Sequence, residues 1–346
     1  PIAMPARRLN WRPCAATLVA MVAAQSAIVR ADDSDDGTPA ADCQSLQTLA
    51  LPRADAAGAA QRAALQGCNS EALYFGLGVP KAAARARQCA YLERKTPGNG
   101  WPNLFAGTGM LMTIYANGVG ATRNLDLALK FACELNGAPA EEEGWIAHLQ
   151  KLKNEHWEGR DFNPCDDVTS GAAQGFCAAH DAKLAAVARK AKLATAIANW
   201  SSEERHAFAA LQKAKDGYVT AEADNEVDMS GTARGAFYVE AKEAGEDRFL
   251  AVLQGLTSDD FPRAPPDFAA ADAKLNALYR KIQGSRGRPN WGTVTKDGIR
   301  KTQRAWLRYR DAWVDFAKIK FPSLSHESLQ AVLTEDRIKL LEGFTN

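Results

Sequence analysis

No cysteine follows Cys177 in this 346-residue chain, although seven precede or occupy that position. The C-terminal half cannot be held by disulfides and must close on packing alone. Other marks of chemistry are scarce too. No two cysteines have the CxxC spacing of a zinc or redox site. The five histidines (His148, His156, His180, His206 and His326) are scattered, with no HExxH or comparable metal spacing. GxSxG, phosphate-loop and GxGxxG patterns are missing, which leaves hydrolase elbows, P-loop enzymes and dinucleotide enzymes without support. The carboxylate pairs Asp166-Asp167 and Asp259-Asp260 sit among turn formers, where capping is the ordinary role. These absences predict a protein that is not an enzyme and that holds no metal or cofactor.

Long apolar runs are also rare. The best one, Ala15 to Ile28, is interrupted by Thr17, Gln25 and Ser26 and is too short to span a bilayer. Arg7, Arg8 and Arg12 precede it, and Val29-Arg30-Ala31 follows before the acidic run DDSDD. A basic start, a short apolar stretch and small residues at a cleavage point predict a signal peptide over residues 1–31. The mature chain would be periplasmic or secreted. Cys14 lies at the start of the apolar run, away from its cleavage end, so no membrane anchor is expected after cleavage. The leader holds four arginines and no acid. Taking those four from 42 leaves 38 basic against 41 acidic residues, a net charge near −3. That gives no electrostatic case for nucleic acid. Six cysteines remain: Cys43, Cys68, Cys89, Cys133, Cys165 and Cys177. An even number in an exported chain predicts up to three disulfides, with fifteen pairings open. Cys165–Cys177 is the best local pair.

What the chain does contain is a duplication. Residues 179–218 align without a gap on residues 270–309, always 91 apart, with 13 of 40 positions identical. Asp181–Lys190 (DAKLAAVARK) becomes Asp272–Lys281 (DAKLNALYRK), and Asn199-Trp200 becomes Asn290-Trp291. Gln212, Ala214 and Tyr218 become Gln303, Ala305 and Tyr309. Shared residues point to scaffold, and divergent ones to where function can move. In the second copy Leu275, Leu278, Tyr279 and Ile282 fall on one helix face. A loop, Gln283–Asn290, and a long helix from about Val294 to Lys320 follow. The stripe Trp306, Tyr309, Trp313 and Phe316 runs along that helix, with Arg308–Asp311 and Asp315–Lys318 spaced for surface ion pairs. Pro322 ends it, and a last helix runs from His326 to Leu341. In the first copy Ser201 and Glu204 form a capping box, and Gly231 stands where Pro322 does. The prolines of Thr257–Asp267 mark a linker.

Upstream, Ser70–Glu93 and Gly109–Leu135 share a plan: a short apolar helix, a turn with paired glycines (Gly76/Gly78 and Gly118/Gly120), then a second helix. These segments resemble the Sel-one-like repeat, a relative of the tetratricopeptide repeat. A weaker helix is expected around Ala59–Gly67. Asp167 or Thr169 is placed to cap the helix that follows the connector. The fold class predicted is all-α: a short helical-repeat solenoid followed by two small helical hairpin or bundle modules. The expected divisions are a signal peptide (1–31), a disordered start (32–41) and a repeat domain (42–160). A diverged first module (161–256), a linker (257–267) and a second module (268–346) complete the chain.

ADAKLNALYRKI, then QRAWLRYRD at Gln303–Asp311, then LTEDRIKLL at Leu333–Leu341 resemble the LprI-type lysozyme inhibitor family. The resemblance rests on Asp272, Leu275 and Asn276 at the helix start, on Gln303, Trp306, Tyr309, Arg310 and Asp311, and on Arg337 in the closing helix. It implies mostly structural roles for these residues, with partner contact as the other option. The first copy keeps Gln212 and Tyr218 but has Lys215 for the Trp and Val219-Thr220 for the Arg-Asp. Many family members carry a cysteine after Arg-Asp and a partner before the last helix. Val314 and roughly Ser328 stand there instead. The resemblance implies stoichiometric binding of a protein partner, with lysozyme or another cell-wall enzyme as the candidates. The alternative is a periplasmic scaffold, in which the helical repeats bind a protein or peptide and the duplicated modules are accessory.

Overall fold

The computed structural model describes residues 39–96, 103–257, 261, 267–286 and 290–345. Every regular element among them is helical. The expected signal peptide lies outside the described residues, as does the linker between copies apart from Thr257, Phe261 and Asp267.

Seven helices build the N-terminal half: α1 (Pro39–Leu46), α2 (Ala59–Ala64), α3 (Ser70–Phe75), α4 (Ala83–Glu93), α5 (Gly107–Asn117), α6 (Leu125–Ala132) and α7 (Pro139–Asn154). α1 starts at Pro39, inside the stretch expected to be unstructured up to residue 41. α5 is apolar on all sides and forms the centre. Met110, Leu111, Met112, Ile114 and Tyr115 are fully enclosed, with α4 and α6 packed on either side. α3 and α5 both stop on a glycine in the left-handed region, Gly76 at φ 80 and Gly118 at φ 62. Residues with a Cβ avoid this conformation, and it is what turns the chain back toward the next helix.

The six cysteines form three disulfides. Cys43–Cys133 joins α1 to the end of α6, and Cys68–Cys89 joins the turn before α3 to α4. Cys165–Cys177 joins a short 3-10 turn at Pro164–Asp167 to the next helix. The first spans 90 residues, and a loop of that length gives a chain-entropy stabilisation on the order of 4–5 kcal/mol.

Six long helices follow: α8 (Gly171–Ala196), α9 (Ser202–Asn225), α10 (Arg234–Thr257), α11 (Phe268–Gly284), α12 (Lys296–Lys320) and α13 (His326–Glu342). Ser170 caps α8, in place of the expected Asp167 or Thr169. Both alternatives are occupied. Asp167 Oδ2 lies 2.8 Å from His148 Nδ1, and the Thr169 and Ser170 amides donate to the buried Glu141 carboxylate of α7. α9 opens on the Ser201/Glu204 capping box. It ends at Asn225, before Gly231, whose φ of 79 belongs to the following turn.

Each copy of the duplication supplies three helices running up, down and up. The first and third pack side by side, α8 on α10 and α11 on α13. The middle helices cross between copies. α9 and α12 run antiparallel in the most extensive helix contact of the protein, with Lys320 bonded to Glu204 and Thr302 to the Ala221 carbonyl. One core therefore takes Phe208, Leu211 and Phe249 from the first copy and Trp306, Trp313 and Phe316 from the second. The sequence pattern predicts two small hairpin or bundle modules, and in the fold their helices share this core. The aromatic stripe of α12 packs on α9 of the first copy as well as on α13 of its own.

α8 links the two halves. Its His180 ring stacks on Phe105 (centroids 3.8 Å apart, 9° between planes), and Nδ1 lies 2.7 Å from the buried Glu71 of α3. Lys183 donates to the other Glu71 oxygen at 2.6 Å. Burial raises the Glu71 carboxyl, but the hydrogen bonds and charges of His180 and Lys183 outweigh it, and the net shift is downward. A carboxyl with a lowered folded pKa adds stability that is present above its ordinary value of 4.5 and lost as pH falls through the lowered one. Urea midpoints measured between about pH 3 and 6 should fall more steeply at the acid end for the native chain than for Glu71→Gln. A gap between the two proteins that stays constant with pH would contradict this assignment.

Candidate functional site

The second-copy residues singled out from the sequence form one continuous cluster, half in the core and half at the surface. α12 places Gln303, Trp306 and Tyr309 on its buried face and Arg310 on its flank. Trp313 and Phe316 extend that face, with Phe249 5.2 Å from Trp313 and both Phe208 and Trp200 5.5 Å from Phe316. Tyr309 stacks on Tyr218, its own counterpart in the first copy, with centroids 5.1 Å apart and planes 21° apart. Equivalent residues meeting each other is the mark of a self-matching interface, here formed within one chain.

Arg337 holds the deep end. Its guanidinium is fully buried and donates to Glu226 at the end of α9 at 2.7 and 2.6 Å. Its Nε donates to Gln303 Oε1 at 2.9 Å, and its Cζ lies 5.9 Å from the Tyr218 ring centre. Burial drives the Glu226 carboxyl upward against the pull of Arg337. Burial also opposes the charge on Arg337, but the bonds from Glu226 hold it firmly protonated. Glu-Asp-Arg recurs in the third helix of each copy, at Glu246–Arg248 and Glu335–Arg337, two residues out of the 91-residue register, and Arg248 pairs with Glu222 one turn earlier on α9. Both arginines of the recurring Glu-Asp-Arg segment thus brace the same helix. Glu222 and Glu226 were not singled out from the sequence. Their partners are 26 and 111 residues away, beyond the reach of any local spacing.

Arg310 holds the outer end. Its guanidinium lies 5.2 Å from the Trp306 ring centre and 5.8 Å from Phe268, the first residue of α11. It reaches Asp272 at 3.7 Å and Asp311 at 3.2 Å. Asn276 Nδ2 donates to Asp272 Oδ2 at 2.8 Å, and Leu275 is buried beneath. Arg310 therefore ties α11 to α12. Asp311 pairs with Arg310, where the spacing had suggested Arg308, while the expected Asp315–Lys318 pair forms at 2.9 Å. Asp311, Asn276 and Leu307 face solvent. In the first copy the Trp306 position is Lys215, which is buried, bonds Glu246 and sits 5.5 Å from the Phe249 ring centre.

The contacts within this cluster brace the helices against one another. Its charged side chains pair with one another or face solvent, and no group of three or more His, Cys, Asp or Glu among the described residues could hold a metal ion. No helix among them is long and apolar enough to cross a membrane. Removing one member of the buried pair should be severe. Arg337→Met strands the Glu226 carboxylate and should cost about 3–5 kcal/mol in denaturant unfolding. Arg337→Met with Glu226→Leu should recover most of that, because the stranded charge is gone. A loss under about 1 kcal/mol for the single substitution would show that the pair does not brace α9.

Residues 264–341, which contain α11 to α13 almost entire, match the model of a family described as Lysozyme inhibitor LprI. All nine signature residues lie inside the match. No curated protein and no solved structure matches the chain. What the comparisons support is a lysozyme-inhibitor-like module formed by the second copy.

Proposed function

We propose that this chain is an exported, non-catalytic binding protein whose second copy recognises a protein partner, with lysozyme or another cell-wall enzyme as the candidate. The observation that carries this reading is the surface edge of the cluster. Asp272, Asn276, Asp311 and Leu307 present carboxylate, amide and apolar contacts on helices braced by Arg310. Positions fixed before binding lose little entropy on association. The edge lies within the segment that matches the lysozyme inhibitor family. Inhibition would be stoichiometric, with the edge covering the sugar cleft of a basic enzyme. The mature chain's small negative charge is compatible with a basic target. Export is supported by the leader-like start and by three disulfides, which persist in oxidising compartments.

A second reading is favoured by one observation. The glycine turns after α3 and α5 belong to two similar helix hairpins, consistent with a Sel-one-like repeat domain that binds a peptide or protein. The duplicated copies would then be accessory.

A lysis assay separates the two. The mature chain, mixed with c-type lysozyme and a cell-wall suspension, should slow clearing in proportion to its molar ratio. Asp272→Lys with Asp311→Lys should weaken the effect about tenfold or more, the size expected for residues at the centre of a contact. Undiminished clearing at several-fold excess would remove lysozyme as the partner and leave another cell-wall enzyme or the scaffold reading.

A further inference from the structure

The two copies differ where the first helix of each passes its middle helix. In the second copy this crevice is laced shut. Gln283 at the end of α11 donates to the Lys296 carbonyl at 3.0 Å and accepts from Arg300 at 3.2 Å, and Lys296 bonds the Ser285 carbonyl. At the aligned positions of the first copy stand Lys192, Arg205 and Ala209. Arg205 turns away to the Ala198 and Trp200 carbonyls. α8 is also longer than α11, 26 residues against 17, and it packs on α10 and stands off α9.

The result is an open groove of about 580 Å³ between α8, α9 and α10. Leu193, Ile197 and Phe208 line its apolar part, and the small side chains of Ala186 and Ala194 leave it unfilled. Its charges are unevenly satisfied. Glu243 is bound by Arg189 at 2.7 and 2.8 Å, and Glu246 by Lys215. Lys190 and Lys242 line the groove with no carboxylate partner among the described residues, and Lys242 lies 5.9 Å from the Tyr238 ring centre. The uncompensated charge is positive, and the space beside it is apolar. A volume of this order suits a small ligand.

We propose that this groove binds one medium-chain fatty acid, its chain along Leu193, Ile197 and Phe208 and its carboxylate against Lys190 and Lys242. The proposal does not depend on the lysozyme reading, since it uses the first copy and a different face. The test is calorimetric titration of the full mature chain with sodium laurate below its micelle concentration. Saturable binding of one laurate per chain is expected, with no saturable binding of dodecyltrimethylammonium. Ala194→Trp, at an exposed position of α8, fills the groove. Lys190→Glu with Lys242→Glu reverses its rim. Each should weaken laurate binding about tenfold or more, with helicity by circular dichroism unchanged. Absence of saturable laurate binding, equal binding of the cationic amphiphile, or affinity retained in either variant would overturn the proposal.

Discussion

The antiparallel contact between α9 and α12 is the constraint on which the C-terminal body depends. Neither middle helix is fully covered by its own copy, so each copy completes the other's core. Tyr218 against Tyr309 marks the crossing. Arg337 locks its far end by carrying a charge from the last helix of the second copy to the end of α9 in the first. A buried pair of this kind adds little net stability over apolar packing, but it is costly to leave half-made.

The two halves meet their stability requirement by different means. The N-terminal half is built of helices of 6 to 16 residues around α5, too short to hold by themselves. Disulfides and polar staples compensate, among them Arg123, which donates to the carbonyls of Ala116, Asn117, Trp157, Glu158 and Gly159. The C-terminal half has helices of 17 to 26 residues and an aromatic core, and among its described elements packing takes the place of disulfides. α8 belongs to both. Its first turns carry Cys177 and His180 into the N-terminal core, and its last turns carry Leu193 and Ile197 to the edge of the other.

Divergence after duplication acted on both copies. The second kept Trp306, Arg310 and Asp311, and with them the brace between α11 and α12. The first replaced the tryptophan with Lys215, which stays buried by pairing with Glu246 and lying near Phe249. It also lacks the bonds that lace the crevice of the second copy, and the groove lies beside its α8. The groove gives the first copy a surface of its own.

The sequence by itself determined the local features. Apolar periodicity, capping boxes and glycine turns act over a few residues, so the all-α class, the helix of the Trp306–Phe316 stripe and the turns at Gly76 and Gly118 were legible. Cys165–Cys177 needed only a short loop. Only the tertiary structure decided the rest, because the partners are far apart in the chain. Cys43 meets Cys133, Glu71 meets His180, Glu226 meets Arg337, and α9 meets α12 in preference to neighbours within its own copy. A helix pattern says that an apolar face must be covered. It does not say by which helix, and in a duplicated chain the cover came from the other copy.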